Sequence, residues 1–216
     1  MQVEHNGDGC NTGSTEFLPY SDICRVYLLQ SDEQEAQKST SMIYLFLIIC
    51  LCVLIFAQDY MVLAVSAEHL LGAFTYQFAH AGWLHYIINA ISLMVMFNPI
   101  YRLYTQRFGD ISTLRFFIYC YLGSVLAALF CAQAIPTIGA SGIVFFLLGI
   151  LLMLNPTRRQ LSSYMLVLLA IAVQFLKGNS NIALHIIAFV LGCLFVIIRL
   201  LWQYKKSYIS YDDRGN

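Results

Sequence analysis

From residue 42 onward the chain alternates long apolar runs with short polar breaks. Six runs, at 42 to 58, 84 to 105, 112 to 131, 141 to 155, 160 to 177 and 181 to 203, predict helices. Each approaches the roughly 20 residues that carry a helix across a hydrocarbon core, and charge is confined to the breaks, as a lipid environment demands. The interval from 59 to 83 is longer than the other breaks and half apolar, in Tyr60 to Ala67 and Leu70 to Phe74, so it is expected to lie in the membrane interface. Residues 1 to 41 are polar and acidic and lack the basic start of a signal peptide. They are expected to form a cytoplasmic tail or a small element, with residues 204 to 216 as a second tail. The predicted fold class is an all-α membrane protein with six transmembrane helices.

Composition agrees: 59% of the residues are hydrophobic and 11% charged, against about 25% charged in soluble domains. A net charge of zero and the absence of a basic stripe exclude nucleic acid as an expected partner. The seven cysteines lie mostly inside apolar runs, where cysteine behaves as a small hydrophobe, and Cys50 and Cys52 are too close for a C-x-x-C metal motif. No metal and no cofactor is expected. Basic residues orient the bundle. Arg102, Arg107, Arg115, Arg158, Arg159, Arg199, Lys205 and Lys206 fall on one side if there are six spans, with Lys177 on the other, which places both termini in the cytoplasm.

Depth can then be counted back from the inner arginine that ends each outside-to-inside span. His85 precedes Arg102 by 17 residues, Ser141 precedes Arg158 by 17, and His185 precedes Arg199 by 14. At 1.5 Å per residue these are about 25, 25 and 21 Å, so three polar side chains on three parallel helices reach nearly one level. A lone histidine in a membrane helix can simply bond a backbone carbonyl. A serine at matching depth changes the reading: Ser141 and His185 form a candidate nucleophile and base. Asp59 and Glu68 belong to the first loop and Asp110 to the opposite side, so a dyad is expected rather than a triad. His85 and Asn89, spaced i and i+4, share a face and with the Ser141 N–H are the candidate oxyanion donors. His80 is expected at the mouth, bracing the first loop by hydrogen bonding. Phe145, one turn below Ser141, is placed to stack on the imidazole. Gly139 is expected to shape the turn before the serine, and Gly142 and Gly149, seven apart, to share a packing face.

The sequence His80-Ala81-Gly82-Trp83-Leu84-His85 with Asn89, then Gly139-Ala140-Ser141-Gly142, then His185, resembles the rhomboid intramembrane serine proteases over residues 42 to 203. The resemblance implies a six-helix bundle with a Ser-His dyad opening to water on the outer side, acting on transmembrane protein substrates in or near the bilayer. Four departures stand out. Leu71-Gly72 replaces a usual Trp-Arg in the first loop; Phe97-Asn98-Pro99-Ile100-Tyr101 replaces a glycine and glutamate; Phe146 stands where a small residue is usual; Ala188 to Gly192 replaces a Gly-x-x-x-Gly. Phe146 is expected to clash if it faces that ridge. The competing expectation is therefore an inactive rhomboid-like protein that binds transmembrane helices as a chaperone or quality-control adaptor. A transporter would instead spread ionisable residues through both halves of the bilayer. A short core without organelle-targeting features points to a bacterial inner membrane.

Overall fold

The computed structural model describes residues 40–57, 59–131, 136–154 and 182–212. Five helices occupy them: α1 (Thr40–Phe56), α2 (Trp83–Phe108), α3 (Thr113–Phe130), α4 (Ser141–Leu154) and α5 (Ile182–Asp212). They coincide with five of the six predicted segments; the sixth, 160–177, lies outside the described residues, as do residues 1–39 of the predicted tail. Helices α2, α3 and the Ile182–Lys205 stretch of α5 are long and apolar enough to cross a membrane, while α1 and α4 are shorter apolar helices. Beyond residue 203 the backbone continues as helix to Asp212.

Helix α4 is apolar on every side, the pattern of a helix enclosed by others. Ten of its 14 residues are buried, and at about 21 Å it is too short to cross a 30 Å core. Its tightest neighbour is α5. A Cβ on Gly192 would overlap the Phe146 carbonyl, and one on Gly149 would overlap the Phe189 carbonyl and stand 2.9 Å from the Cys193 nitrogen. The two backbones therefore touch through glycines, and Cys193 Sγ adds a hydrogen bond to the Gly149 carbonyl at 3.5 Å. Gly142, expected to share this face, packs elsewhere, against Ser124 and Tyr76. Glycines seven apart meet different neighbours because the surrounding elements cross α4 at different heights.

The expected clash of Phe146 does not arise. Its ring is buried against α3, where a Cβ on Gly123 would overlap it, and it meets Phe195 of α5 with ring centroids 5.9 Å apart. A large residue on α4 thus fits into a recess left by a glycine on α3. Below it an aromatic layer joins the helices: Phe97 and Tyr104 of α2 pack on Phe116 of α3 at 5.5 and 5.1 Å, and Tyr104 stacks on Phe195 at 5.7 Å.

The first loop holds two short 3-10 turns, Tyr60–Leu63 and Leu70–Phe74. Asp59 caps the first, accepting from the Met61 N–H at 3.0 Å. The Leu71-Gly72 departure has a local reason. A Cβ on Gly72 would overlap the Ala64 carbonyl, so the loop folds tightly on itself there, while Leu71 is 75% exposed beside the exposed Leu70 and Phe74. Such an apolar rim suits an interfacial position. Docking comes from backbone and polar contacts instead: Val65 and Thr137 exchange two hydrogen bonds at 3.1 and 2.9 Å, and the Tyr121 hydroxyl donates to the Phe74 carbonyl, while Thr75 Oγ1 ties the loop to itself by donating to the Leu63 carbonyl at 3.0 Å. At the other altered position Asn98 donates to Thr40 Oγ1 at 2.8 Å, tying α2 to the start of α1.

The Gly123–Phe146 pairing predicts coupled energetics. Gly123→Ala is expected to cost about 1–3 kcal/mol of unfolding stability in the native chain and close to nothing in a Phe146→Ala background. Denaturant unfolding in detergent reads both; equal costs would show that Phe146 is not what fills the recess.

Candidate active site

Ser141 is the first residue of α4, and the chain reaches it through a turn that only glycine suits. Gly139 has φ +114°, in the region that side-chain-bearing residues avoid, and its N–H donates to the Tyr76 carbonyl at 2.8 Å. The second reason for glycine is space. A Cβ there would stand 2.6 Å from His85 Cε1 and 2.7 Å from its Nε2, and 3.6 Å from Asn89 Nδ2. Both side chains of the predicted donor pair on α2 therefore flank the residue two before the serine.

Ser141 Oγ and His185 Nε2 are 2.7 Å apart, joining the start of α4 to the first turns of α5. Both residues are nearly buried, at 8% and 7% exposure. Since the hydroxyl must donate for this contact to lead to nucleophilic attack, the productive tautomer carries its proton on Nδ1. Phe145 lies where the helical spacing puts it, its ring 4.5 Å from the His185 imidazole and tilted 33°, limiting how far the base can swing.

On α2, Asn89 is buried and spends one amide proton on the His85 carbonyl at 3.0 Å. His85 Nδ1 accepts weakly from the Ala81 N–H at 3.4 Å. With Nδ1 as acceptor, a neutral imidazole carries its proton on Nε2, the nitrogen nearest the Gly139 turn. His85 and Asn89 thus present N–H donors toward the backbone that leads into Ser141.

His80 is 1% exposed; neither ring nitrogen meets a partner at ordinary hydrogen-bond geometry among the described residues, but the Phe78 backbone of the first loop lies against the imidazole and favours its charged form. The ring also packs edge-on to His85 at 5.2 Å and to Tyr86 at 5.5 Å. The sequence reading missed Tyr76 and Ser124. Both are fully buried, their hydroxyls are 2.6 Å apart, and they lie directly against Gly142. Their only signal was a polar group within apolar surroundings, which by itself names no partner.

Burial, with the neighbouring His85 adding to it, pushes the His80 imidazole down to about 4. The unfolded side chain titrates near 6.5, so between those values the unfolded state holds a proton that the folded state refuses. The contribution of a neutral His80 is complete above pH 6.5 and is lost as pH falls toward 4. At about 1.4 kcal/mol per pH unit for one group, the native chain should lose roughly 2–3 kcal/mol more than His80→Phe between pH 7.5 and 4.5. Denaturation midpoints in detergent across that range test it, and parallel pH profiles in the two chains would refute it.

Direct comparison finds no match among curated proteins and none among solved structures. A family model described as Rhomboid domain matches residues 67–202, from within the first loop into α5. That span includes Ser141, His185, His85, Asn89 and the glycines that bring α4 and α5 into contact. With three helices among the described residues able to cross a bilayer, the chain is an integral membrane protein that belongs to the rhomboid family.

Proposed function

We propose that this protein is an intramembrane serine endopeptidase, and the observation that carries the reading is the 2.7 Å contact between Ser141 Oγ and His185 Nε2 at the buried head of α4. In the proposed reaction His185 takes the hydroxyl proton as Oγ attacks the scissile carbonyl carbon. It returns that proton to the leaving amine as the tetrahedral intermediate collapses to an acyl-enzyme. Water, activated by the same imidazole, then releases the new carboxyl end and restores Ser141. His85 Nε2–H, the second amide proton of Asn89 and the Ser141 N–H are the donors assigned to the oxyanion. In this reading the core has six spans with both termini cytoplasmic, residues 160–177 supplying the fifth. Ser141, His85 and His185 lie near the outer face, where water enters, and the substrates are transmembrane proteins cut in or beside the bilayer. The membrane proposed is the bacterial inner membrane.

The alternative of a helix-binding rhomboid without activity drew its support from Phe146 and Leu71-Gly72. Phe146 occupies the Gly123 recess and Gly72 closes the first loop on itself, so neither residue speaks against a working dyad.

Covalent labelling by a fluorophosphonate probe in detergent or liposomes tests the proposal without a known substrate. Native protein should label, Ser141→Ala should not, and His185→Ala should lose at least about 1,000-fold in rate, while Asn89→Ala or His85→Ala should each lose about 100 to 1,000-fold. A folded native chain that never labels would overturn the protease reading in favour of the helix binder.

A further inference from the structure

The first residue of a helix is its least constrained, because helix ends fray and lack half their hydrogen bonds. A reacting group nonetheless has to be held to within about 0.5 Å. The serine needs anchorage that α4 alone does not give. Tyr76 of the first loop touches the segment on both sides of Ser141. Its carbonyl accepts the Gly139 N–H at 2.8 Å, and its hydroxyl stands 2.5 Å from where a Cβ on Gly142 would lie. The phenol is fixed in turn by α3, through Ser124 Oγ at 2.6 Å and the Ser124 carbonyl at 3.2 Å. With the single phenolic proton on that carbonyl, the Ser124 hydroxyl donates to the phenol oxygen, and both groups are satisfied in a site that excludes solvent.

We infer that the Tyr76–Ser124 pair is the positioning device for Ser141, a clamp between the first loop and α3 that sets where the Gly139 to Gly142 turn stands and so where Oγ meets His185. The inference rests on the protease reading above. It gives the first loop a task in the reaction beyond covering the site. Neither member of the pair meets the substrate: Tyr76 and Ser124 act through the backbone on either side of the nucleophile.

The test is the concentration dependence of fluorophosphonate labelling of the full chain, separating the limiting rate at saturating probe from the half-saturating concentration. Tyr76→Phe and Ser124→Ala should each lower the limiting rate about ten-fold and leave the half-saturating concentration unchanged. The double variant should be little worse than either single one, because the two hydroxyls act as one unit. Thr75→Val, which removes the loop's own bond to the Leu63 carbonyl, serves as the control for loosening alone. It should lower the unfolding midpoint and keep the native limiting rate, with all rates taken well below each variant's midpoint. Labelling of Tyr76→Phe and Ser124→Ala at the native limiting rate would overturn the clamp while leaving the protease reading standing, and so would an equal fall in Thr75→Val. A native chain that does not label overturns both.

Discussion

The contact on which the site depends is made by α4 and α5 through glycine. Gly149 lies eight residues below Ser141 and Gly192 seven below His185, about 12 and 10 Å along their helices. At that level the two backbones are so close that a methyl group on either glycine would overlap a carbonyl of the other helix. In lipid there is no hydrophobic drive to bring helices together, so close packing of small residues supplies the association. Two helices pinned there on a short lever bring Oγ and Nε2 to within reach, 2.7 Å apart, and leave only the final placing of the serine to the segment that leads into it. Phe145, from the same stretch of α4, then occupies the space into which the imidazole would otherwise turn.

Fitting a large residue into this arrangement shows how the core is filled. Helix α4 is enclosed, so the volume at Phe146 must be accommodated by some neighbour. The α5 ridge has no room, since Gly192 already rests on the Phe146 carbonyl, and it is Gly123 of α3 that gives way. The first loop follows the same logic. Lacking a bulky and a charged residue at 71 and 72, it gains stability from folding against Ala64 and from paired backbone hydrogen bonds between Val65 and Thr137, which need no particular side chain.

This also explains what could be read from the sequence. Apolar run length reports the lipid-crossing requirement directly, so α2, α3, α4 and the start of α5 appear within a few residues of their predicted bounds. It does not report where a helix ends in water, and α5 accordingly runs past the apolar limit to Asp212. Counting depth from the arginines brought Ser141, His85 and His185 to one level, and helical spacing put Phe145 on the imidazole. What stayed hidden was contact between distant parts of the chain. Tyr76 and Ser124 are 48 residues apart, and Gly123 gave no sign that it faces Phe146, because a pairing across two helices leaves no periodicity. Nor did the sequence signal that the His80 ring packs between His85 and Tyr86.

The shortness of α4 connects this architecture to the proposed chemistry. In the proposed reading α4 starts below the surface of the bilayer, which puts its first N–H groups, with no carbonyl one turn earlier, inside the protein. The Ala140 carbonyl serves the Ile143 and Val144 amides at 3.0 and 3.4 Å, but no residue within the helix lies four positions before Ser141 to accept from it. In a spanning helix of ordinary length those groups would reach water and cost nothing. Here they are held beside donors on α2, at the positive end of the helix dipole, where an anion is favoured. The arrangement is therefore more comfortable with a developing oxyanion present than without one, which is the condition for stabilising a transition state rather than a ground state. Moving Ser141 one turn deeper would lose both the amide and the dipole, so the length of α4 belongs to the proposed mechanism as much as the dyad does.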